Sequence, residues 1–378
     1  MKFGSKLIHN GNEIDKYTGA LSIPIYQAST YHLKDLDTRQ EFGYSRSGNP
    51  TRKALEETIA VLEGGTAGFA FASGMAAISS VLAIFSAGDH LLVCEDVYGG
   101  TNRICSSLFK QFNIETTFFD GGNLGALEAG VKENTRALLL ETPSNPLLKI
   151  TDLRAVIRIA KEHGLLVIID NTFMSPYLQR PIELGADIVI HSATKFIGGH
   201  SDVLGGLVIT GDDGLAEKIY SVQTTLGAVL GPQDSWLLLR GLKTLKVRLD
   251  YEQKNASLLA EWLSHHPAVT EVFYPGLPHH EGHAIHMSQA DGPGAVLSFR
   301  ARDTDTARRF LNKVKLAVIA LSLGGVETIV SYPVIMSHAS VPVEQREKLG
   351  ITDNLIRISL GLEDIEDLIQ DFSQAFLP

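Results

Sequence analysis

The stretch that decides the fold is LRAVIRIAKEHG-LLVIIDNTF (153–173). Its first half places Leu153, Val156, Ile157 and Ala160 at spacings of three and four and stops at Gly164, the pattern of an amphipathic helix with a glycine end. Its second half is apolar from Leu165 to Ile169 and ends in Asp170. A run with no polar side for five residues reads as a strand covered on both faces. A helix feeding directly into such a strand is one unit of an α/β fold.

The unit recurs on both sides. Short apolar runs fall at Gly68–Ala72, His90–Cys94, Thr116–Phe119, Ala137–Leu140, Asp187–Ile190 and Gly206–Thr210, with amphipathic stretches between some of them. The expectation is an α/β fold: a mostly parallel central sheet with helices on both faces. No Gly-x-Gly-x-x-Gly fingerprint follows the first run, so a dinucleotide fold has little support. Residues 211–265 read as mostly helix, broken by LGAVLGPQ (226–233). Strands are then expected at Ala295–Phe299, Ala317–Ala320 and Leu355–Ser359, with helices near 304–315 and 363–376. That pattern describes a smaller C-terminal α+β domain. The boundary is placed inside a helix, giving residues 1–45 as an N-terminal arm, 46–245 as the large domain and 246–378 as the small one.

Composition bounds the function. The 378 residues carry 33 Lys and Arg against 43 Asp and Glu, a formal charge of −10. That balance argues against nucleic acid or an anionic membrane as the main partner. Hydrophobic residues make up 44 %, as in a folded globular protein. No apolar run is long enough for a membrane span, and MKFGSKLIHNGNE lacks an apolar signal core, so a cytoplasmic location is expected. Cys94 and Cys105 alone form neither a disulfide framework nor a Cys-rich metal site. His279, His280, His283 and His286 cluster in LPHHEGHAIH, which reads as a solvated Pro/Gly loop rather than a metal site.

Chemistry concentrates where the strands end. In DIVIHSATKFIGGHSD (187–202), Ser192 and Thr194 precede Lys195, and Phe196 and Ile197 follow it. An amine among apolar neighbours is partly desolvated, which lowers its pKa. Hydroxyls beside it suit a phosphate. The combination fits a lysine that forms a Schiff base with pyridoxal phosphate. Asp170, closing the preceding strand, is placed to keep a pyridine nitrogen protonated. FASGMAAIS (71–79) leads a strand through Gly74 and Met75 into a helix whose free N–H groups suit an anion. Tyr98 in DVYGGT (96–101) suits either a buried scaffold position or a stack on a planar ring. All lie at the ends of successive strands, where open α/β sheets bind ligands.

At these residues the sequence resembles the Cys/Met-metabolism family of pyridoxal-phosphate enzymes. YSRSGNPT (44–51), ETPSNPLL (141–148), DNTFMSP (170–176), RGLKTL (240–245) and LIRISLGLED (355–364) carry the likeness across nearly the whole chain. The resemblance implies a type I pyridoxal-phosphate aminotransferase-like fold and pyridoxal 5'-phosphate as cofactor. It implies Lys195 as Schiff-base lysine and proton shuttle, Asp170 as partner of the ring nitrogen and Tyr98 as the stacked ring. Gly74, Met75, Ser192 and Thr194 would form the phosphate cup. Tyr44 and Arg46 would reach a neighbouring subunit's site, which implies a homotetramer built from site-sharing dimers. Arg357 would grip the substrate carboxylate, with Asn145 and Ser322 on the substrate side.

Within the family the motifs look most like the cystathionine β-lyases of Gram-positive bacteria. That implies cleavage of cystathionine to homocysteine, pyruvate and ammonia, in transsulfuration and methionine biosynthesis. Leu323 and Glu327 in SLGGVET (322–328) also suit γ-lyases and γ-synthases, so those readings stay open. Methionine γ-lyases commonly have Cys where this chain has Gly100. A non-catalytic pyridoxal-binding scaffold is the alternative from another class; it predicts loss of Lys195, Asp170, Tyr98 or Arg357, and all four are present.

Overall fold

The computed structural model describes residues 1–378 except 12, 13, 36, 39 and 340; four of these five fall in the expected N-terminal arm. The large sheet contains β1 (Ala67–Phe71), β2 (His90–Cys94), β3 (Glu115–Phe119), β4 (Thr135–Glu141), β5 (Leu166–Asp170), β6 (Ile188–Ser192) and β7 (Gly206–Thr210), in the order β1-β7-β6-β5-β4-β2-β3. Strands β2 to β6 pair in parallel, and β7 runs antiparallel to both β6 and β1. The expected mostly parallel sheet is therefore present, with one reversed strand inside it.

Alternation along β7 shows why helices cover both faces. Leu207 and Ile209 pack into one cluster with Leu55, Ile59 and Leu62 of the helix Pro50–Glu63. Val208 turns the other way, into a cluster with Ala77, Ile78 and Val81 of the helix Gly74–Leu82. Local sequence sets where these helices start and stop. Asn49 accepts hydrogen bonds from the N–H groups of Thr51 and Arg52, Pro50 occupies the first helical position, and Gly64 ends the helix in the left-handed region at φ 82°. The Asp152 side chain caps the helix Leu153–Glu162 through the Ala155 N–H.

A second sheet, ordered β10-β11-β12-β9-β8, comprises β8 (Val269–Phe273), β9 (Val296–Ala301), β10 (Val318–Ile319), β11 (Ile329–Ser331) and β12 (Leu355–Ser359). Its core includes Phe299, Phe310, Ile356 and Phe372. The helix Leu245–Ser264 touches both cores: Leu245 and Leu249 belong to the first, Ala256, Leu259 and Leu263 to the second. Among the described residues no helix is long and apolar enough to cross a membrane. The histidine cluster corrects an expectation in its second half, while His279 and His280 lie in the expected turn. His283–Gln289 is a helix rather than a solvated loop; His286 is fully buried with Nε2 on the Gly292 carbonyl, and His283 Nδ1 meets the Pro275 carbonyl. Gly282, at φ 84°, opens this helix with its backbone so close to Ile150 that a Cβ there would lie 2.7 Å from the Ile150 Cβ.

Glu252, in the shared helix, is wholly buried, and neither carboxyl oxygen has a partner among the described residues. Burial pushes its carboxyl up to about 8; Arg248 opposes the shift and Glu363 adds to it. The folded state therefore keeps a proton that the unfolded chain releases from about pH 4.3 upward. Stability should fall as pH rises through that window and level off above the folded value. Glu252→Gln removes the charge without changing the shape. Its melting temperature relative to the parent should rise between about pH 5 and about pH 9. Parallel melting curves across that range would show that Glu252 does not titrate this way.

Candidate active site

The carboxyl ends of β1, β2, β4, β5 and β6 gather the chemistry. β6 ends at Ser192, and the chain turns through Lys195 before Gly198 and Gly199. Arg248 holds this turn from below: Nη1 donates to the Phe196 carbonyl at 2.8 Å and Nη2 to the Gly241 carbonyl at 2.9 Å. Lys195 Nζ donates to Ser322 Oγ at 2.5 Å. Burial, and secondarily the Arg357 cation, bring the Lys195 amine down to about 8. A usable fraction of it is then neutral and nucleophilic near neutral pH.

Asp170 closes β5, one strand from the lysine. Its Oδ1 accepts from the Thr172 N–H at 3.0 Å and from Thr172 Oγ1 at 2.5 Å. Among the described residues Oδ2 has no hydrogen-bond partner. Burial raises the Asp170 carboxyl, while the two Thr172 bonds and His191 work the other way. His191 is itself buried against Glu63, Nε2 to Oε2 2.9 Å. Thr172 Oγ1 also accepts from the Ser192 N–H at 2.8 Å, which ties β5 to β6 at the site.

Gly74 and Met75 open the helix that follows β1. Ser73 Oγ accepts from the Ala76 N–H, and the N–H groups of Gly74 and Met75 have no partner among the described residues. A Cβ on Gly74 would stand 3.0 Å from both Cβ and Oγ of Ser192, so this position needs a glycine for close approach. A Cβ on Gly100 would lie 2.6 Å from Met75 Sδ and 2.6 Å from the Tyr98 ring, which shows how closely these three sit. Thr194 Oγ1 faces inward to Gly205, accepting its N–H at 3.0 Å.

Arg357 of β12 reaches across from the second sheet. Nη1 donates to Asn145 Oδ1 at 2.9 Å, and Nη2 donates to the Ser322 carbonyl at 2.5 Å and to Ser331 Oγ at 3.1 Å. The residue is 4 % exposed, and its Nε has no partner among the described residues. Desolvation lowers the guanidinium to about 10, and Glu141 opposes that. Ser322, at φ 101°, thus meets both the lysine and the arginine.

The structure brings Gly74, Met75, Tyr98, Asn145, Asp170, Ser192, Thr194, Lys195, Ser322 and Arg357 to one edge of the large sheet. Tyr44 and Arg46 are elsewhere. The Arg46 guanidinium lies 5.6 Å from the Tyr44 ring centre and donates to the Thr224 carbonyl; among the described residues neither bonds to the cluster. Sequence reasoning missed Thr172, Ser331 and Glu141. The last closes the run ALLLE as Asp170 closes LVIID, a signal that was there to find.

A β/α sheet carrying a half-buried lysine, a strand-end carboxylate and an anion-ready helix start defines a pyridoxal-phosphate site, and comparison with known proteins gives the family. The profile of the Cys/Met metabolism PLP-dependent enzymes matches residues 4–377, and the chain belongs to that family. It is 54 % identical over 371 residues to cystathionine beta-lyase MetC of Bacillus subtilis, covering 98 % of this chain and 95 % of the relative. It is 50 % identical over 375 residues to the cystathionine gamma-lyase of the same organism, covering 99 % of each. The solved structure of cystathionine gamma-lyase from Lactobacillus plantarum complexed with L-serine superposes with a TM-score of 0.97 at 47 % identity, covering 100 % of this chain and 98 % of that one. The fold is thus the type I pyridoxal-phosphate fold expected from the motifs.

The residues present fit the cofactor. The unpartnered N–H groups of Gly74 and Met75 suit a phosphate, and the free oxygen of Asp170 suits a ring nitrogen. The depressed Lys195 amine suits a carbonyl carbon.

Proposed function

We propose that this chain is a carbon–sulfur lyase that cleaves L-cystathionine at the Cβ–S bond. One water is consumed, and homocysteine, pyruvate and ammonia are released. The observation that carries the class is the triangle of Lys195, Ser322 and Arg357. It sets a weakly basic amine and a carboxylate-binding fork on one serine. The choice of β-cleavage rests on the 54 % identity to the Bacillus β-lyase.

Bound pyridoxal phosphate supplies an electrophilic carbon and a ring that spreads the electron pair left at the substrate's Cα. The chain's residues do the rest. Gly74, Met75, Ser192 and Thr194 hold the phosphate, and Tyr98 covers the ring. Asp170 keeps a proton on the ring nitrogen. The buried Nε of Arg357 donates to the substrate carboxylate, beside the Asn145 amide. Lys195 takes the Cα proton at Nζ, held in place by Ser322 Oγ. The thiolate then leaves Cβ with the bonding pair and accepts a proton.

A γ-lyase reading is favoured by one feature. Glu327 lines a cavity of about 590 Å³ together with Ser322 and Thr194, and Ser201 Oγ donates to it at 3.4 Å. A carboxylate there could serve proton movement at Cβ, which only γ-cleavage needs. Product analysis with cystathionine separates the two. Pyruvate with homocysteine is expected; 2-oxobutyrate with cysteine would overturn β-cleavage while keeping the lyase class.

The same reading makes the protein a cytoplasmic homotetramer in which Tyr44 and Arg46 complete a neighbour's phosphate site. Tyr44 is half exposed and outside its own chain's cluster, as such a role requires. Light scattering should give an assembly larger than the 41.0 kDa chain. A fully active monomer would refute this part.

A further inference from the structure

Glu141 is buried, charged by type, and has no part in the function proposed above. It closes β4, and the parallel register sets it directly beside Asp170 of β5. It is 6 % exposed. Its Oε2 accepts the backbone N–H of Tyr98 at 2.7 Å. The Tyr98 side chain is 44 % exposed, and its hydroxyl has no hydrogen bond among the described residues. The bond from β4 ties the tyrosine's backbone to the sheet.

Two carboxylates side by side in a buried site do not both stay ionised. The donors around them are unequal. Asp170 accepts two bonds from Thr172 and lies near His191. Glu141 faces Asp170 on β5 and Asp96 beyond β2, and against them stand one backbone N–H, from Tyr98, and the more weakly acting Arg357 of β12. We propose that Glu141 is a positioning residue of the cofactor site: an uncharged carboxyl that holds Tyr98 in place and leaves Asp170 as the single negative charge of the pair. Burial, then Asp170, push the Glu141 carboxyl well above its ordinary range, in agreement with that geometry. The inference rests on the cofactor-site assignment made above.

Binding of pyridoxal 5'-phosphate to the cofactor-stripped protein tests it, through the dissociation constant and the pH midpoint of the visible band. Glu141→Gln keeps a neutral acceptor and should bind within about twofold of the parent. Its midpoint should not move. Glu141→Ala loses the tether and should bind about tenfold more weakly. Glu141→Asp, too short to reach Tyr98, should weaken binding in the same sense and replaces the alanine variant if that one fails to fold. A glutamine variant as weak as alanine, or with a shifted midpoint, would show that the charge is needed. Alanine and aspartate variants that bind like the parent would show that no tether exists. Lys195→Ala, run alongside, keeps the two readings apart: if it alone loses the covalent band, the cofactor site stands whatever Glu141 does. A parent that takes up no cofactor would overturn both.

Discussion

Lys195→Ala should lower kcat by at least about 10³-fold, because it removes the proton carrier and the covalent anchor together. The amine is well prepared for both tasks. It sits in a turn held by Arg248, bonds to Ser322, and is brought down to about 8 by burial and by Arg357. Lys195→Arg should not restore activity, since a guanidinium stays protonated and offers no lone pair. Pyruvate release under saturating cystathionine measures the loss. A variant retaining more than about a tenth of parental kcat would remove Lys195 from the proton-transfer role.

The second large effect is expected at Arg357. Arg357→Lys keeps a positive charge but loses the planar fork that joins Asn145, Ser322 and Ser331. It should lower kcat/KM by about 100-fold, mostly through KM, because the planar group that aims Nε at the carboxylate is gone. Cofactor uptake should be largely kept, since a lysine at 357 retains the positive charge that helps bring the Lys195 amine down. Unchanged KM would move the substrate carboxylate to another site. Loss of cofactor instead of KM would make Arg357 part of the cofactor cradle.

The inner strands of the large sheet were readable because they are buried almost throughout, so runs such as His90–Cys94 and Gly206–Thr210 are visibly apolar, while β3, at the edge, shows only its Phe118–Phe119 end. β8 was missed for the opposite reason. It is an edge strand with Thr270 and Glu271 exposed, and its sequence carries no continuous apolar signal. β11 is three residues long, too short for any period to show. The site was readable where a residue ends a strand or follows it closely, as with Asp170 and Lys195. Contacts that depend on register were not. Nothing local to ALLLE reveals that β4 lies against β5 with Glu141 opposite Asp170. The meeting of Arg357 with Asn145, 212 positions apart, likewise needs the two sheets to be placed first. Tyr44 and Arg46 lie outside the cluster of their own chain, so their role waits on a second copy.

Borohydride reduction of the cofactor-loaded protein, followed by peptide mapping, tests the central claim most directly. A reduced pyridoxyl group on Lys195, within the peptide that contains HSATKF, is the predicted result. The same group on any other lysine, or no reduced adduct at all, would contradict it.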